Sequence, residues 1–171
     1  MKFIVFSGLP GAGKSSLAEA LGRQLQIPVF AKDWLESTLV GAGLVSDNKD
    51  KLWGFAGYEL LTVLAERQLR LGQSVILDCV TATQKIRDQW SILARKYQAK
   101  WIVIECICSD QKLHQARLQK RVRGIPSWYE IEWDDVQRIK TYYASWNEPR
   151  LVLDSITPLE ENLVSAINYC S

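Results

Sequence analysis

Histidine occurs once in this 171-residue chain, at His114, and the four cysteines (Cys79, Cys106, Cys108, Cys170) contain no C-x-x-C pair. No His or further Cys stands near any of them at metal-ligand spacing, so a zinc site is not expected. The first three lie in or at the end of apolar runs, where reduced core residues belong, and Cys106 and Cys108 would face one side of a strand. Long hydrophobic runs are also missing. Phe3-Ile4-Val5-Phe6 stops at Ser7-Gly8, too short for a secretory apolar region, and nothing later approaches a membrane-spanning length. A cytoplasmic chain with no membrane partner is therefore expected. Neither charge sign dominates: a net charge of +2 argues against a nucleic-acid or membrane surface over the whole molecule. There is no internal repeat and no low-complexity tract, and residues 1–171 have the length of one ordinary domain that can bury a core.

What is present organises itself around Gly8-Leu9-Pro10-Gly11-Ala12-Gly13-Lys14-Ser15, a full match to the Walker A pattern G-x-x-x-x-G-K-[ST]. A Cβ at these glycines would obstruct a loop whose successive N–H groups must turn toward one anion. Lys14 would reach the β- and γ-phosphates of a nucleotide. The Ser15 hydroxyl is suited to Mg²⁺, and Ser16 opens a helix to Leu25 whose positive end would face the phosphates. The strand before the motif and the helical spacing of Leu17, Ala18, Leu21 and Leu25 after it argue against a chance glycine-rich turn.

Further on, strands and helices alternate. Ile27 to Ala31 reads as a second strand delivering Lys32-Asp33, followed by a short helix from Trp34 to Val40, a stop at Gly41-Ala42-Gly43 and a polar turn at Ser46 to Asp50. Tyr58, Leu61, Leu64, Ala65 and Leu69 form the apolar face of a long helix ended by Gly72. Ser74 to Asp78 is a strand, Thr83 caps a helix running to about Tyr97, and Trp101 to Ile107 is the next strand. Lys112 to Arg123 reads as a basic helix in which Arg117 and Arg121 share a face, broken at Gly124 to Ser127. Trp128 to Trp146 reads as another helix, Arg150 to Asp154 as the last strand, and Thr157-Pro158 as the start of a terminal helix. Such alternation predicts a doubly wound α/β domain with a parallel sheet covered by helices on both faces.

In such a sheet, ligands gather at the carboxyl ends of the strands, which brings Asp33 and Asp78 to the edge of the phosphate loop. Asp78, after the apolar run Val75-Ile76-Leu77, has the form of a Walker B acid holding Mg²⁺, or else of an ordinary turn-opening acid at a strand end. Cys79 and Val80 stand where a motor ATPase would carry a water-activating Glu. Asn48-Lys49-Asp50 lacks the spacing of the guanine-reading Asn-Lys-x-Asp. Transfer to a substrate hydroxyl is left, with Asp33 as general base, a role compatible with capping the helix that follows. Arg117, Arg121 and Arg123 are candidates to close over the transferred group as a movable lid at about 112–128, Arg117 and Arg121 before Arg123; a solvated helix face is the plain alternative. His114, in the same segment, is expected at the surface or beside the phosphates rather than in catalysis. Among the tryptophans, Trp34, Trp53, Trp128 and Trp133 flank the expected acceptor region; most should be core, with Trp34 the first candidate for a substrate wall.

The Walker A string, Lys32-Asp33, Leu71 to Asp78, the Arg117/Arg121 helix and Pro149 to Asp154 together resemble the zeta-toxin-like and chloramphenicol-phosphotransferase-like P-loop kinases. The resemblance implies a three-layer, nucleoside-kinase-type core with strand order 2-3-1-4-5 and a small helical lid, using ATP and Mg²⁺. It implies γ-phosphate transfer to a small acceptor. On this chain it puts Gly8 to Ser16 and Arg117 on the nucleotide, Ser15 and Asp78 on the metal, and Lys14, Asp33, Arg117 and Arg121 in catalysis. Relatives acting on polynucleotide ends carry an Arg shortly after the base, whereas Trp34-Leu35-Glu36 stands here, so a nucleic-acid acceptor is not expected. Two other readings remain: a nucleotide-binding switch with little turnover, and an RNA-associated kinase using Lys112 to Arg123 as a phosphate-binding strip.

Overall fold

Every residue of Phe3-Ile4-Val5-Phe6 is fully buried, because the strand that contains them, β1 (Lys2–Ser7), has neighbours on both edges and helices on both faces. Alternation sends Ile4 and Phe6 into one apolar layer and Phe3 and Val5 into the other. The structure, a computed structural model, describes residues 1–44 and 53–171. Five strands among them form one parallel sheet in the order β2 (Val29–Ala31), β3 (Val75–Asp78), β1, β4 (Lys100–Ile107) and β5 (Leu151–Asp154).

One face is covered by α1 (Lys14–Leu25) and α7 (Leu159–Cys170), the other by α3 (Trp53–Arg70) and α4 (Gln84–Lys96). This is the predicted three-layer arrangement and strand order, with each helical stripe legible in the spacing of its apolar residues. No helix among the described residues is long and apolar enough to cross a membrane. The expected polar turn at Ser46 to Asp50 lies outside the described residues.

Three local expectations are corrected. α2 begins at Lys32, with Ala31 at its N-cap, so Asp33 stands in the first turn and is not the cap; there its charge meets the positive end of the helix. The basic helix, α5 (Gln111–Lys120), is capped by the Asp110 carboxylate, which accepts from Leu113 N at 3.0 Å, and stops at Lys120. Arg121 is extended, and residues 121–132 carry no helix. The physical reason is tertiary: the Arg123 guanidinium and backbone N–H both bond to Glu130, closing a loop that a continuous helix could not make. Arg117 and Arg121 are thus not neighbours on one helical face.

The segment expected as a helix from Trp128 to Trp146 is helical only over α6 (Trp133–Tyr142), opened by a capping box between Glu132 and Asp135. Its C-terminal continuation is pulled off by the sheet. Ala144 N donates to Ala82 O at 2.8 Å, and the Tyr143 hydroxyl reaches Ser7 Oγ and Glu105 Oε1. Buried Arg87 completes the attachment, donating to the carbonyls of Thr81, Ala144 and Ser145 at 3.0, 2.8 and 2.9 Å while its guanidinium lies 3.8 Å from the Trp146 ring centroid. Replacing Arg87 by Leu strands the buried Thr81 carbonyl and removes the charged donor from the part-buried bonds to Ala144 and Ser145. The expected loss is at least about 3 kcal/mol of unfolding free energy, to be read as an earlier midpoint in urea denaturation.

Candidate active site

The phosphate loop leaves β1 at Gly8, where φ is +130° and an added Cβ would stand 2.1 Å from the Cys106 carbonyl oxygen of β4. No other residue fits so close to a neighbouring strand. From there to α1 the loop is held by contacts outside itself. Gly8 N donates to Val80 O at 3.3 Å, the Ser7 hydroxyl donates to the same carbonyl at 2.9 Å, and His114 Nε2 donates to Pro10 O at 2.8 Å. His114 is buried, with its ring edge-on to Trp133 at 5.3 Å. The structure therefore puts it beside the phosphate loop, the second of the two expected places, and not at the surface.

Lys14 is buried and donates from Nζ to Leu9 O at 2.9 Å, folding its side chain back over the loop. Ser15, next in α1, stands close enough to the Asp78 carboxylate for its hydroxyl to draw the pKa down. Asp78 ends β3 in register with Phe6 and Ala31 of the flanking strands and is only 6% exposed, which removes the reading of an ordinary solvent-facing acid. Burial pushes its carboxyl up from the usual range; Lys14 and Ser15 pull it down, Asp33 adds to the rise and Arg121 opposes it. A serine hydroxyl against a carboxylate beside a loop of this shape is a hard oxygen donor set, which fits Mg²⁺.

Around these groups opens a cleft of about 1330 Å³. Pro10, Lys14, Ser15, Ser16 and Asp78 line its phosphate-loop side; Asp33, Trp34, Arg121, Arg123, Trp128 and Tyr129 line the other. Trp34 is half-exposed, and the Trp128 ring packs against Tyr129 at 4.9 Å with its Nε1–H buried and unpartnered among the described residues. Burial and the adjoining Arg123 charge push the Arg121 guanidinium pKa down, while Asp33, Glu130 and Asp78 pull it back up. Arg117 is not in the cleft. It is exposed and donates to Ser155 O at 2.8 Å and Ser155 Oγ at 3.2 Å, and Ser155 itself packs against Gly13. Thus the structure brings together Lys14, Ser15, Asp33, Asp78 and Arg121, and places Arg117 on the opposite flank of the loop.

Sequence reasoning missed two features of the cleft. Arg123, ranked behind the other lid arginines, is the one whose Nη1 donates to Asp33 Oδ2. Lys32 and Glu36 form a buried pair at 2.6 Å under the Tyr58 ring, with Gly57 of α3 packed against the Glu36 carboxylate. Burial raises the Glu36 carboxyl despite the pull of Lys32. The i,i+4 spacing of Lys32 and Glu36 was visible in the sequence; the pairing of Arg123 with a residue ninety positions away was not. Cys79, Cys106 and Cys170 are buried, and burial pushes the Cys79 and Cys106 thiols up to about 12; Cys108 corrects the expectation, since β4 ends at Ile107 and leaves it part-exposed and off the strand.

A family model described as an AAA domain (AAA_33) matches residues 3–143. No curated protein matches the chain by sequence. Among solved structures, the chain is similar to an unliganded sugar kinase from Janibacter sp. (15% identity, 99% of this chain and 94% of that one, TM-score 0.74). It is similar also to a gluconokinase from Sinorhizobium meliloti (20% identity, 98% and 90%, TM-score 0.66) and to the Mycobacterium tuberculosis APS kinase CysC in complex with AMPPNP and APS (18% identity, 99% and 96%, TM-score 0.68). At these identities the shared property is the P-loop kinase-like fold.

Asp78 binds its proton more tightly in the folded chain than in the unfolded one, so its ionisation takes stability away as pH rises through its folded value. Asp78→Asn removes that penalty. The nucleotide-free variant is expected to melt at a higher temperature than the wild type at pH 7, and to gain less on acidification to about pH 5, as followed by differential scanning fluorimetry.

Proposed function

The chain belongs to the AAA domain family, and from that premise we propose that it is an ATP-dependent kinase transferring the γ-phosphate to a hydroxyl of a small-molecule acceptor. One observation carries the proposal: a buried metal-competent acid, Asp78, and a more exposed acid, Asp33, sit on the same cleft as the phosphate loop and Arg121. The kinase names of structural neighbours, one of them bound to AMPPNP, support it.

Gly8 to Ser16 would cradle the phosphates with backbone N–H groups, and Lys14 would leave the Leu9 carbonyl to lie along the β- and γ-phosphates. Ser15 and Asp78 would hold Mg²⁺, which would supply positive charge against the phosphates. Asp33 takes the proton of the acceptor hydroxyl as its oxygen bonds to phosphorus, and Arg121 faces the charge that spreads over the transferred group. Arg117, hydrogen-bonded to Ser155 behind Gly13, would hold the nucleotide from the other flank of the loop.

The acceptor side has aromatic faces at Trp34 and Tyr129, which suit a hydroxyl compound with an apolar face. Residues at about 112–128, helical to Lys120 and extended beyond, would act as the lid over it. The narrower likeness to zeta-toxin-like and chloramphenicol-phosphotransferase-like kinases, and a cytoplasmic setting, belong to the same proposal.

A coupled assay of ADP release with Mg²⁺, ATP and pooled sugars, nucleosides, aminoglycosides and cofactor precursors tests this directly. One pool should raise turnover. Asp33→Asn should lower that turnover about 10²- to 10⁴-fold with ATP affinity retained, whereas Lys14→Ala should weaken ATP binding itself. ATP binding with a slow basal rate that no pool changes, and that Asp33→Asn leaves intact, would replace the kinase by a nucleotide-dependent switch.

A further inference from the structure

Asp33 does not meet the cleft as an open carboxylate. Its Oδ2 accepts from Arg123 Nη1, and the same guanidinium donates from Nε to Glu130 Oε2 at 3.3 Å and from Nη2 to the Tyr129 carbonyl at 3.1 Å. The Arg123 backbone N–H donates to Glu130 Oε1 at 3.0 Å, so Glu130 grips one residue at two points. The Arg123 side chain is 7% exposed, against 36% for Asp33 and 45% for Glu130. A buried, charge-assisted clamp on a half-open acid differs from a surface ion pair, which would be worth little.

The cleft around this pair is wide enough to fill with water when no acceptor is bound. An acid placed to activate a hydroxyl over a nucleotide is placed equally well to activate water. In that side reaction the water oxygen bonds to the γ-phosphorus, the bond from that phosphorus to the β–γ bridging oxygen breaks, and the water proton passes through the acid to solvent, leaving ADP and inorganic phosphate. A proton arriving on Asp33 would weaken the charge-assisted bond to Arg123, so that bond works against the carboxylate taking a proton until the guanidinium moves away.

We propose that Arg123 is a positioning residue that holds Asp33 in the acceptor-free protein and yields it only when an acceptor enters, making phosphoryl transfer selective against water. The inference rests on Asp33 as the base. It assigns the extended segment after α5 a role distinct from covering the nucleotide: the segment carries the residue that closes and releases the base. An acceptor large enough to contact Trp34 and Tyr129 displaces the guanidinium toward Glu130, which already holds it; water cannot.

The test needs no identified acceptor, because water is the probe. Basal hydrolysis of Mg-ATP is measured for wild type, Arg123→Gln, Arg123→Lys, Asp33→Asn and the Arg123→Gln/Asp33→Asn double variant, with ATP affinity from titration of a fluorescent ATP analogue. Arg123→Gln should raise basal hydrolysis on the order of tenfold with unchanged ATP affinity, Arg123→Lys should raise it less, and the double variant should fall back to the rate of Asp33→Asn alone. A basal rate that does not rise in Arg123→Gln, or, if that chain fails to fold, in Arg123→Lys, overturns the proposal. So does a rise that persists in the double variant. Failure of the kinase reading looks different: no acceptor pool would then raise turnover in the wild type, whatever the basal rate of the Arg123 variants, or Lys14→Ala would bind ATP as well as the wild type does.

Discussion

The approach of the Gly8 backbone to the Cys106 carbonyl is the constraint on which the site depends. It exists because β1 lies between β3 and β4 and is buried on both faces, so the loop that follows has no freedom to settle further from its neighbours. Once that position is set, the ends of β1 and β3 bring Ser15 and Asp78 close together, and β2, in register with Asp78 at Ala31, launches α2 with Asp33 in its first turn. The two acids differ in depth. Asp78 ends a strand with partners on both sides and is desolvated; Asp33 sits on a helix at the sheet margin and faces the cleft.

Behind the loop, polar groups do what apolar packing cannot. The Tyr143 hydroxyl meets Ser7 and Glu105, Arg150 pairs with Glu105 through Nε, and Arg87 gathers three carbonyls, so the chain after α6 is fixed to the sheet by directional bonds. Directionality matters here because this stretch is neither helix nor strand, and its backbone carbonyls need donors that a hydrophobic contact would not supply. Ser7, one residue before Gly8, is part of this lattice, which ties the rear wall to the phosphate loop.

Most of the fold was legible because it is written in local terms. Four apolar residues before a glycine-rich turn, aliphatic stripes at helical spacing and acids at strand ends are properties of short windows, and β1, α1, β3, α4 and β4 appear close to where those windows put them. The errors share a cause as well. Residues 121–123, 128–132 and 143–146 read as helical from their sequence, yet Glu130, Asp33 and Arg87 draw their backbone and side chains into long-range bonds that no window contains. For the site, the Walker A string announced the loop and Asp78, while the pairing of Arg123 with Asp33 depends on a chain crossing visible only in three dimensions.

His114 is the only histidine in the chain, and its ring is 2.8 Å from the carbonyl of Pro10 in the middle of the phosphate loop. The molecule thus has a built-in spectroscopic label at its most informative position. Its imidazole signals need no assignment by mutation or isotope editing, and a one-dimensional proton spectrum reads the environment of the loop directly.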